Sequence, residues 1–328
     1  MSTAQPLTTA MADLYSPVVT EMGRVEQLLT EQMRSEYPAV DELVRYGCML
    51  GGKRMRPALL LLVGQASGEV VDAHITLGAV VEMIHTATLV HDDVLDEAKM
   101  RRHLATVNSR WDNEASVLLG DYLFTHSFYL ASTLETTLGC RWIGHATNVV
   151  CEGELRQKAA RGNLHLSEDE YLSIIGAKTA ALTACSSKLG AYFAGADEAT
   201  TAEMDAFGYE LGVAFQIADD LLDVVGSEAD TGKSLGTDLD QKIMTLPLIH
   251  TLRCAEPGER EELETLLAGE ARSAQLAPYL KRHQALAYAR RRAEEFALSA
   301  RARLDCLPPS PALDALIRMT EVVVRRSC

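Results

Sequence analysis

Two aspartate-rich motifs are the residues of this sequence that could do chemistry. "DDVLD" occupies residues 92–96 and "DDLLD" occupies residues 219–223, each within a stretch rich in leucine and valine. On a helix, the first and last aspartates of each motif are four residues apart and share a face. Like charges at that spacing repel each other by about 0.3 kcal/mol. Folding alone therefore gives no reason to place these residues together.

The two carboxylate pairs predict a divalent cation site. The pairs are Asp92 with Asp96 and Asp219 with Asp223. Carboxylate oxygens suit Mg²⁺, which keeps several waters and usually bridges to the phosphates of a substrate. An EF-hand is excluded, because its Ca²⁺ loop needs alternating acidic residues around a central glycine. A solvated acidic face explains one such motif, but two copies in apolar surroundings favour metal binding.

Basic residues cluster around the acidic motifs and predict an anionic substrate. The formal net charge is −15, so local groups of cations are informative. A glycine-loosened loop followed by a helix start, as in "GGKRMRP" at 51–57, suits a diphosphate. The other cations are an arginine pair after the first motif, a lysine in "GAKTAAL" and two lysines after the second motif. His85 lies two turns before Asp92, where a core histidine and a phosphate contact are equally good interpretations.

The elements that must position these residues are predicted to be helices. Apolar residues recur at three- and four-residue spacing, and proline is absent from about 72–100, 114–138, 167–189 and 198–225. No alternating strand pattern extends beyond a few residues, and aromatic residues make up only 5%. We therefore expect an all-α fold, with a disordered N-terminus at 1–10 and a single large helical domain over 11–328.

Composition also limits the partners and the compartment. The acidic balance argues against a nucleic-acid partner, which would need a basic face. Seven cysteines without a CxxC pair indicate reduced thiols in a cytoplasmic protein. No signal peptide is visible. The longest apolar run, "PALLLLVG", is too short to span a bilayer. We expect no transmembrane segment, and any membrane contact should be peripheral.

The ordered set of motifs resembles the trans-polyprenyl diphosphate synthases, and most of all the bacterial long-chain, octaprenyl-type enzymes. The motifs are "GGKRMRP", "EMIHTATLVHDDVLDEAKMRR", "GDYLFTHSF", "AKTAAL", "GVAFQIADDLLDVVG" and "TGKSLGTDLDQKIMTLPLIH". The resemblance implies a helical bundle around a central cavity, the isoprenoid synthase type I fold, and a homodimer. It implies Mg²⁺-dependent head-to-tail condensation of isopentenyl diphosphate with an allylic diphosphate, using three metal ions per active site. Product release would then involve the expected peripheral membrane contact.

The resemblance also implies a role for each matching residue. Metal binding falls to Asp92, Asp96 and Asp219, with Asp223 assisting. The isopentenyl diphosphate site is matched by Lys53, Arg56, His85 and Arg102. The allylic diphosphate site is matched by Arg101, Lys178, Thr179, Gln216, Lys233 and Lys242. Of these, Lys178, Thr179 and Gln216 are the candidate catalytic residues, because they would stabilise the departing diphosphate and the allylic cation.

Product length is predicted from the helix face that leads backwards from Asp92. In the family an aromatic residue four or five positions before the first aspartate stops growth, whereas Thr88 and Ala87 are small. One turn further back on this face comes Ile84 or His85, and the small residues predict a long product, of about thirty to fifty carbons. A short-chain geranylgeranyl or farnesyl diphosphate synthase is the main alternative, and a non-catalytic subunit of a heteromeric synthase is another. A terpene cyclase is disfavoured by the intact "DDLLD".

Two positions depart from the family pattern beside the predicted substrate sites. His103 stands where a glycine usually follows the arginine pair, and Gln241 stands where a glycine usually precedes the lysine. We expect these changes to affect loop geometry rather than charge. The glycine-rich 226–237 loop is a candidate lid over the site.

Overall fold

The computed structural model describes residues 13–49, 52–225, 237–269 and 273–325. The predicted disordered N-terminus at 1–10, Lys233 and nearly all of the predicted lid lie outside the described residues. The prediction of an all-α fold is confirmed. Within the described ranges the strand content is one antiparallel hairpin, β1 (Met100–Arg101) paired with β2 (Leu104–Ala105).

The remaining elements are helices that follow the predicted apolar periodicity. They are α1 (Val19–Gln32), α2 (Pro38–Met49), α3 (Met55–Ser67), α4 (Asp72–Leu95), α5 (Val107–Arg110), α6 (Asn113–Ser132), α7 (Leu138–Ala159), α8 (Glu168–Ile175), α9 (Ala181–Phe193), α10 (Glu198–Val225), α11 (Thr237–Asp240), α12 (Leu246–Cys254), α13 (Pro257–Ala268), α14 (Ser273–Arg282), α15 (Ala285–Arg303) and α16 (Pro311–Arg325). One turn of π-helix, Gly176–Ala180, joins α8 to α9.

Local capping explains where helices α8 and α10 begin. Ser167 caps α8 by accepting a hydrogen bond from the Glu170 N–H, and the Glu170 side chain accepts one from the Ser167 N–H. Asp197 similarly accepts from the Thr200 N–H at 2.8 Å ahead of α10. Both helices therefore begin at a capping residue that is followed by acidic residues in the first turn.

The described chain divides into two compact units. Unit 1 comprises Met1–Thr147, Leu182–Gly208 and Arg303–Met319, and unit 2 comprises Asn148–Ala181, Tyr209–Ala302 and Thr320–Cys328. The single domain over 11–328 stays a prediction.

Unit 1 is built around α4, which packs against α1, α3 and α6. The apolar run of α3 is buried on every side, since all residues from 59 to 63 have no exposed surface. Helix α4 is long and apolar enough to cross a membrane, but 72% of the relevant window is buried inside the folded chain. That burial is typical of the core helix of a globular unit.

Unit 2 has its own apolar core around the C-terminal half of α10. Val213, Ile217 and Leu221 of that helix pack in one cluster with Tyr171 of α8 and with α12. Helix α15 contributes a row of fully buried alanines, Ala285, Ala289 and Ala293, spaced four residues apart. The charged segment beyond residue 258 therefore packs through this small-residue stripe.

Candidate active site

Both acidic motifs lie in the C-terminal turns of long helices. Asp96 is the C-cap of α4, and the second motif ends two residues before the end of α10. Neither helix carries a basic residue in its last turn. A helix C-terminus bears partial negative charge, so a carboxylate there costs about 0.5 kcal/mol. The placement of both motifs therefore favours cation binding rather than a folding role.

In each motif the outer aspartates are accessible and the middle one is buried. Asp92 is half-buried and Asp96 exposed, whereas only 1% of Asp93 is exposed. In the second motif the outer pair is half-buried, and Asp220 is 6% exposed. The four-residue spacing thus places two carboxylates on one face of each helix, and each middle residue turns towards the protein.

Asp93 is held by Arg101 from the hairpin. The Arg101 Nε donates to Oδ1 at 2.9 Å and to Oδ2 at 3.1 Å, and Nη2 lies 2.7 Å from Oδ1. Burial raises the pKa of Asp93, and the adjacent guanidinium acts in the opposite direction. The repulsion inside the first motif is therefore partly offset by an arginine that follows it in the sequence.

The hairpin that carries the arginine pair turns on two residues with positive φ. Arg102 (φ 51°) and His103 (φ 64°) occupy the turn between β1 and β2, which is the geometry of a type I′ turn. Glycine or asparagine favours this turn because other residues are strained there. His103, which stands where the family usually has glycine, therefore adds strain to the backbone of this turn. An effect on loop geometry at this position was expected from the sequence.

The glycine loop before α3 contacts the arginine of this turn. A Cβ added to Gly52 would lie 2.1 Å from Nη2 of Arg102, so a side chain there would displace that guanidinium. The Nε of Arg56 is buried, and no partner accepts from it within the described residues. Burial lowers the pKa of Arg56. A buried guanidinium donor without an acceptor suits an anionic ligand.

His85 lies among the same arginines. Its pKa is held well below 6.5 by burial first and then by Arg56, Arg102, Arg101 and Arg54. The imidazole is therefore neutral near pH 7, and it can donate one hydrogen bond without adding charge. The structure thus brings together His85, Arg56 and Arg102 of the predicted isopentenyl diphosphate site. Lys53 is exposed on the same loop, and its carbonyl accepts from the Tyr15 hydroxyl at 3.0 Å.

Arg54 of the same loop has a structural role. Its Nε lies 2.6 Å from Glu26, and its Nη1 lies 2.8 Å from Glu82, which is 2% exposed. These two carboxylates raise the pKa of Arg54, although burial opposes them. Arg54 therefore neutralises the buried Glu82 and the half-buried Glu26, in agreement with its absence from the predicted substrate contacts.

In unit 2 the π-helical turn presents Lys178 and Thr179. A Cβ at Gly153 of α7 would lie 2.6 Å from the Lys178 backbone nitrogen, and one at Gly176 would lie 2.2 Å from the Tyr209 hydroxyl. Two glycines therefore allow close packing on both sides of this turn. The Lys178 ammonium contacts Glu154 at 2.8 Å. Single π-turns inside helices are frequent at functional sites.

A chain of hydrogen bonds links Thr179 to the second motif. The Thr179 hydroxyl donates to Gln216 Oε1 at 2.7 Å, and Gln216 Nε2 donates to Asp220 Oδ1 at 2.7 Å. The buried Tyr171 hydroxyl donates to Asp220 Oδ2 at 2.6 Å. Two predicted catalytic residues, Thr179 and Gln216, are thus directly joined.

Further acidic groups surround the second motif. Burial raises the pKa of Asp220 to about 7, against the hydrogen bonds from Tyr171 and Gln216. Burial and the neighbouring aspartates also raise the pKa of Asp238, whose backbone N–H donates to Asp223 Oδ2 at 3.2 Å. The raised pKa values show that these crowded carboxylates repel one another, and a bound cation would relieve that repulsion.

The described part of the chain contains no preformed cage of three metal-ligating side chains. Mg²⁺ does not require one, because it is typically bound by one or two carboxylates, waters and substrate phosphates. The outer carboxylates of each motif fit that pattern. Lys242, in a turn with φ 57°, donates to the carbonyl of Ala268 at 3.1 Å, and the adjacent Gln241 accepts from Arg161 at 2.9 Å.

The predicted chain-length residues differ in exposure. Ile84 and Ala87 are fully buried in the core of unit 1, so neither faces open space there. Thr88 is half-buried, and it shares the accessible face of α4 with His85 and Asp92. Among the alternatives left open by the sequence, the accessible face continues backwards through His85 rather than Ile84.

The protein-family model described as "Polyprenyl synthetase" matches residues 37–282, which is more than half of the chain. This chain belongs to the polyprenyl synthetase family. It is 36% identical over 309 residues to the octaprenyl diphosphate synthase of Escherichia coli, covering 93% of this chain and 96% of that one. Members of the family are prenyltransferases, so the prediction of an enzyme is confirmed.

Solved structures agree with this polyprenyl synthetase assignment. A decaprenyl diphosphate synthase from Rhodobacter capsulatus superimposes with a TM-score of 0.91 and 36% identity, covering 97% of this chain and 99% of that one. A polyprenyl synthase from Caulobacter crescentus, complexed with calcium and isoprenyl diphosphate, gives a TM-score of 0.91 and 32% identity. It covers 99% of this chain and all of that one. The predicted type I isoprenoid synthase fold is therefore confirmed.

Several residues around the site were not found by sequence reasoning. The ion pair of Asp93 and the roles of Tyr171 and Glu154 depend on tertiary contacts. His91 packs over Gly120 of α6, where a Cβ would lie 2.1 Å from its Nε2. The sequence offered one signal for Asp238, its place in the "TGKSLGTDLDQK" motif.

Proposed function

We propose that this protein makes a long-chain all-trans polyprenyl diphosphate of about thirty to fifty carbons. It would do so by repeated head-to-tail condensation of isopentenyl diphosphate with an allylic diphosphate. The observation that carries the substrate class is the half-buried arginine cluster around His85, in which the buried Nε of Arg56 has no acceptor within the described residues. The long product is supported by the octaprenyl- and decaprenyl-synthesising relatives.

Each group of residues would have a distinct task. Asp92 and Asp96 of one motif, and Asp219 and Asp223 of the other, would hold Mg²⁺, three ions in all. When bound, the metal would neutralise charge on the allylic diphosphate as it departs. Support comes from the hard oxygen donors and from the calcium complex of the Caulobacter relative.

The cations and dipoles of this chain would act on the allylic substrate. Arg101, Lys178, Lys233 and Lys242 would bind its diphosphate and stabilise the developing negative charge. The Gln216 carbonyl and the Thr179 hydroxyl would stabilise the allylic cation left behind. Lys178 would exchange its contact with Glu154 for the substrate, since both are charge-assisted hydrogen bonds.

The second substrate would be positioned by unit 1. Lys53, Arg56, His85 and Arg102 would hold the diphosphate of isopentenyl diphosphate while its alkene attacks the cation. The new carbon–carbon bond leaves a tertiary cation, and loss of a proton restores an alkene. The released diphosphate is the base best placed to take that proton. Proximity then supplies a large part of the rate enhancement.

We also propose a homodimer in the cytoplasm that contacts membranes only peripherally. Helix α6 supports the dimer, because Leu118 is 59% and Tyr129 65% exposed on one of its faces. Burying such residues against a second copy is the usual use of an exposed apolar face. Sedimentation of wild type and Leu118→Glu should give a dimer and a monomer respectively, and a monomeric wild type would contradict the dimer. Co-sedimentation of the wild type with vesicles carrying long polyprenyl diphosphates tests the membrane contact.

Incubation with farnesyl diphosphate, labelled isopentenyl diphosphate and Mg²⁺, followed by chain-length analysis, tests the proposed function. Products of thirty carbons or more support it. A stop at twenty carbons supports the short-chain alternative. An absence of incorporation with every primer points to a non-catalytic subunit. Asp219→Asn should abolish incorporation while leaving the melting temperature nearly unchanged, whereas Asp169→Asn, an exposed control on α8, should retain it.

A further inference from the structure

Tyr171 is a buried hydroxyl that the proposed reaction does not use. It lies on α8 within the apolar core of unit 2, and only 3% of its surface is exposed. A phenylalanine would fill the same space, so packing alone does not require the hydroxyl. A buried tyrosine hydroxyl needs a partner. The partner here is Asp220, at 2.6 Å.

The hydrogen bond from Tyr171 completes a network that ends at a predicted substrate contact. The two oxygens of Asp220 accept one hydrogen bond each, from Tyr171 and from Gln216 Nε2. The Gln216 carbonyl oxygen accepts from the Thr179 hydroxyl. Because the amide nitrogen is committed to Asp220, the carbonyl oxygen must point towards Thr179. Flipping the amide would break the bond to Asp220.

We propose that Tyr171 is a positioning residue for the allylic substrate site. By fixing one oxygen of Asp220, it fixes the Asp220–Gln216 bond, and thereby the direction of the Gln216 carbonyl dipole. This proposal rests on the proposed function, in which that dipole stabilises the allylic cation. A dipole stabilises a transition state best when it is oriented before the reaction begins. Tyr171 touches no substrate, so its effect is indirect.

The first test compares Tyr171→Phe with a matched tyrosine–carboxylate pair. Tyr288 donates to Glu168 at 2.5 Å in the same unit, and Glu168 lies in the first turn of the helix that carries Tyr171. For Tyr171→Phe we expect kcat to fall about ten-fold with both KM values within about two-fold of wild type. Tyr288→Phe should retain kcat. Melting temperatures of both variants would be measured in parallel.

A double-mutant cycle with Gln216→Leu separates positioning from general destabilisation. If Tyr171 acts through Gln216, adding Tyr171→Phe to Gln216→Leu should cause no further loss of the single-turnover rate. An equal loss in both backgrounds would overturn the proposal. A wild-type kcat in Tyr171→Phe, or an equal loss in Tyr288→Phe, would also overturn it.

The wild-type reaction distinguishes this proposal from the proposed function. One outcome is that wild type makes polyprenyl diphosphates while Tyr171→Phe gives one of the overturning results named above. In that case only the positioning role of Tyr171 is wrong. If wild type incorporates no isopentenyl diphosphate with any primer, the proposed function is wrong, and the positioning role is overturned with it.

Discussion

Arg101 contacts both oxygens of the buried Asp93, with Nε 2.9 Å from Oδ1 and 3.1 Å from Oδ2. Only 1% of the Asp93 side chain is exposed, and 17% of that of Arg101. The pair ties the hairpin that carries the two arginines predicted to bind substrate to the helix that carries the first predicted metal-binding motif. The middle aspartate of that motif is thus a structural partner of an arginine predicted to contact substrate.

Asp93→Asn should weaken this connection. The amide can accept one hydrogen bond but leaves the charge of Arg101 without its partner, so we expect the free energy of unfolding to fall by about 2 kcal/mol. Urea unfolding monitored by circular dichroism measures this change. Asp121→Asn is the control, because Asp121 is exposed and 3.7 Å from His91. A change of similar size in both variants would contradict the assigned role.

His103→Gly should stabilise the protein. His103 has φ 64° in the type I′ turn, and glycine removes that strain, so we expect a gain of about 0.5 kcal/mol after the entropic cost of glycine. His103→Ala is the matched control, because it removes the imidazole and keeps the strain. Thermal unfolding distinguishes them. Equal melting temperatures for His103→Gly and His103→Ala would show that loss of the imidazole, and not relief of backbone strain, changes the stability.

The sequence was sufficient for the fold class and for the placement of the outer aspartates of each motif on one helix face. Helices were predictable because their apolar spacing and caps are local, as at Ser167. The outer aspartates were predictable because a four-residue spacing places two side chains on one face of any helix. The predicted 72–100 helix ends at Leu95, because Glu97 (φ 51°) leaves the helical conformation and a hairpin follows.

Residues that act through tertiary contacts were not predictable. Tyr171 and Asp220 are 49 positions apart, and no local pattern links them. The π-helical turn at Gly176–Ala180 depends on close packing against Gly153, which the sequence presents only as one glycine in a helix. The burial of Ala87 likewise follows from which helices pack on α4.

Gly153→Ala should impair catalysis by displacing the π-helical turn. The new methyl group would lie 2.6 Å from the Lys178 backbone nitrogen, and a backbone atom cannot move aside as a flexible side chain can. We expect kcat to fall about ten-fold or more. Gly144→Ala, on the same helix, is the control, since its methyl group meets only Phe128 at 3.7 Å. That variant should retain activity and gain up to about 1 kcal/mol of stability.

His85 should make the protein less stable in mild acid. Burial and the nearby arginines hold the pKa of His85 well below 6.5 in the folded protein. In the unfolded chain the same imidazole has its ordinary pKa. Between pH 6.5 and that lower pKa the unfolded state binds more protons, so the free energy of unfolding falls as pH drops through this range. The contribution of neutral His85 to the free energy of unfolding is fully present above pH 6.5.

Unfolding of wild type and His85→Gln between about pH 7.5 and 5.5 isolates this contribution. The stability difference between the two proteins should shift in favour of the variant as pH falls. Parallel pH profiles would contradict a neutral His85 with a lowered pKa. The two proteins must be compared because Asp220 also titrates in this range. Its pKa is raised to about 7, so it increases the free energy of unfolding as pH falls, opposite to His85.

Thr88→Phe should shorten the product. Thr88 is half-buried on the accessible face of α4, one turn before Asp92, and its hydroxyl donates to the His85 carbonyl at 2.8 Å. One turn rises about 6 Å, so a phenyl ring there would meet the growing chain soon after it leaves the proposed metal site. We expect products of about twenty carbons or fewer, with the first condensation retained. Thr88→Val is the control, because it removes the hydroxyl without adding length, and it should keep the wild-type distribution. Long products from Thr88→Phe would show that the chain grows past another face of α4.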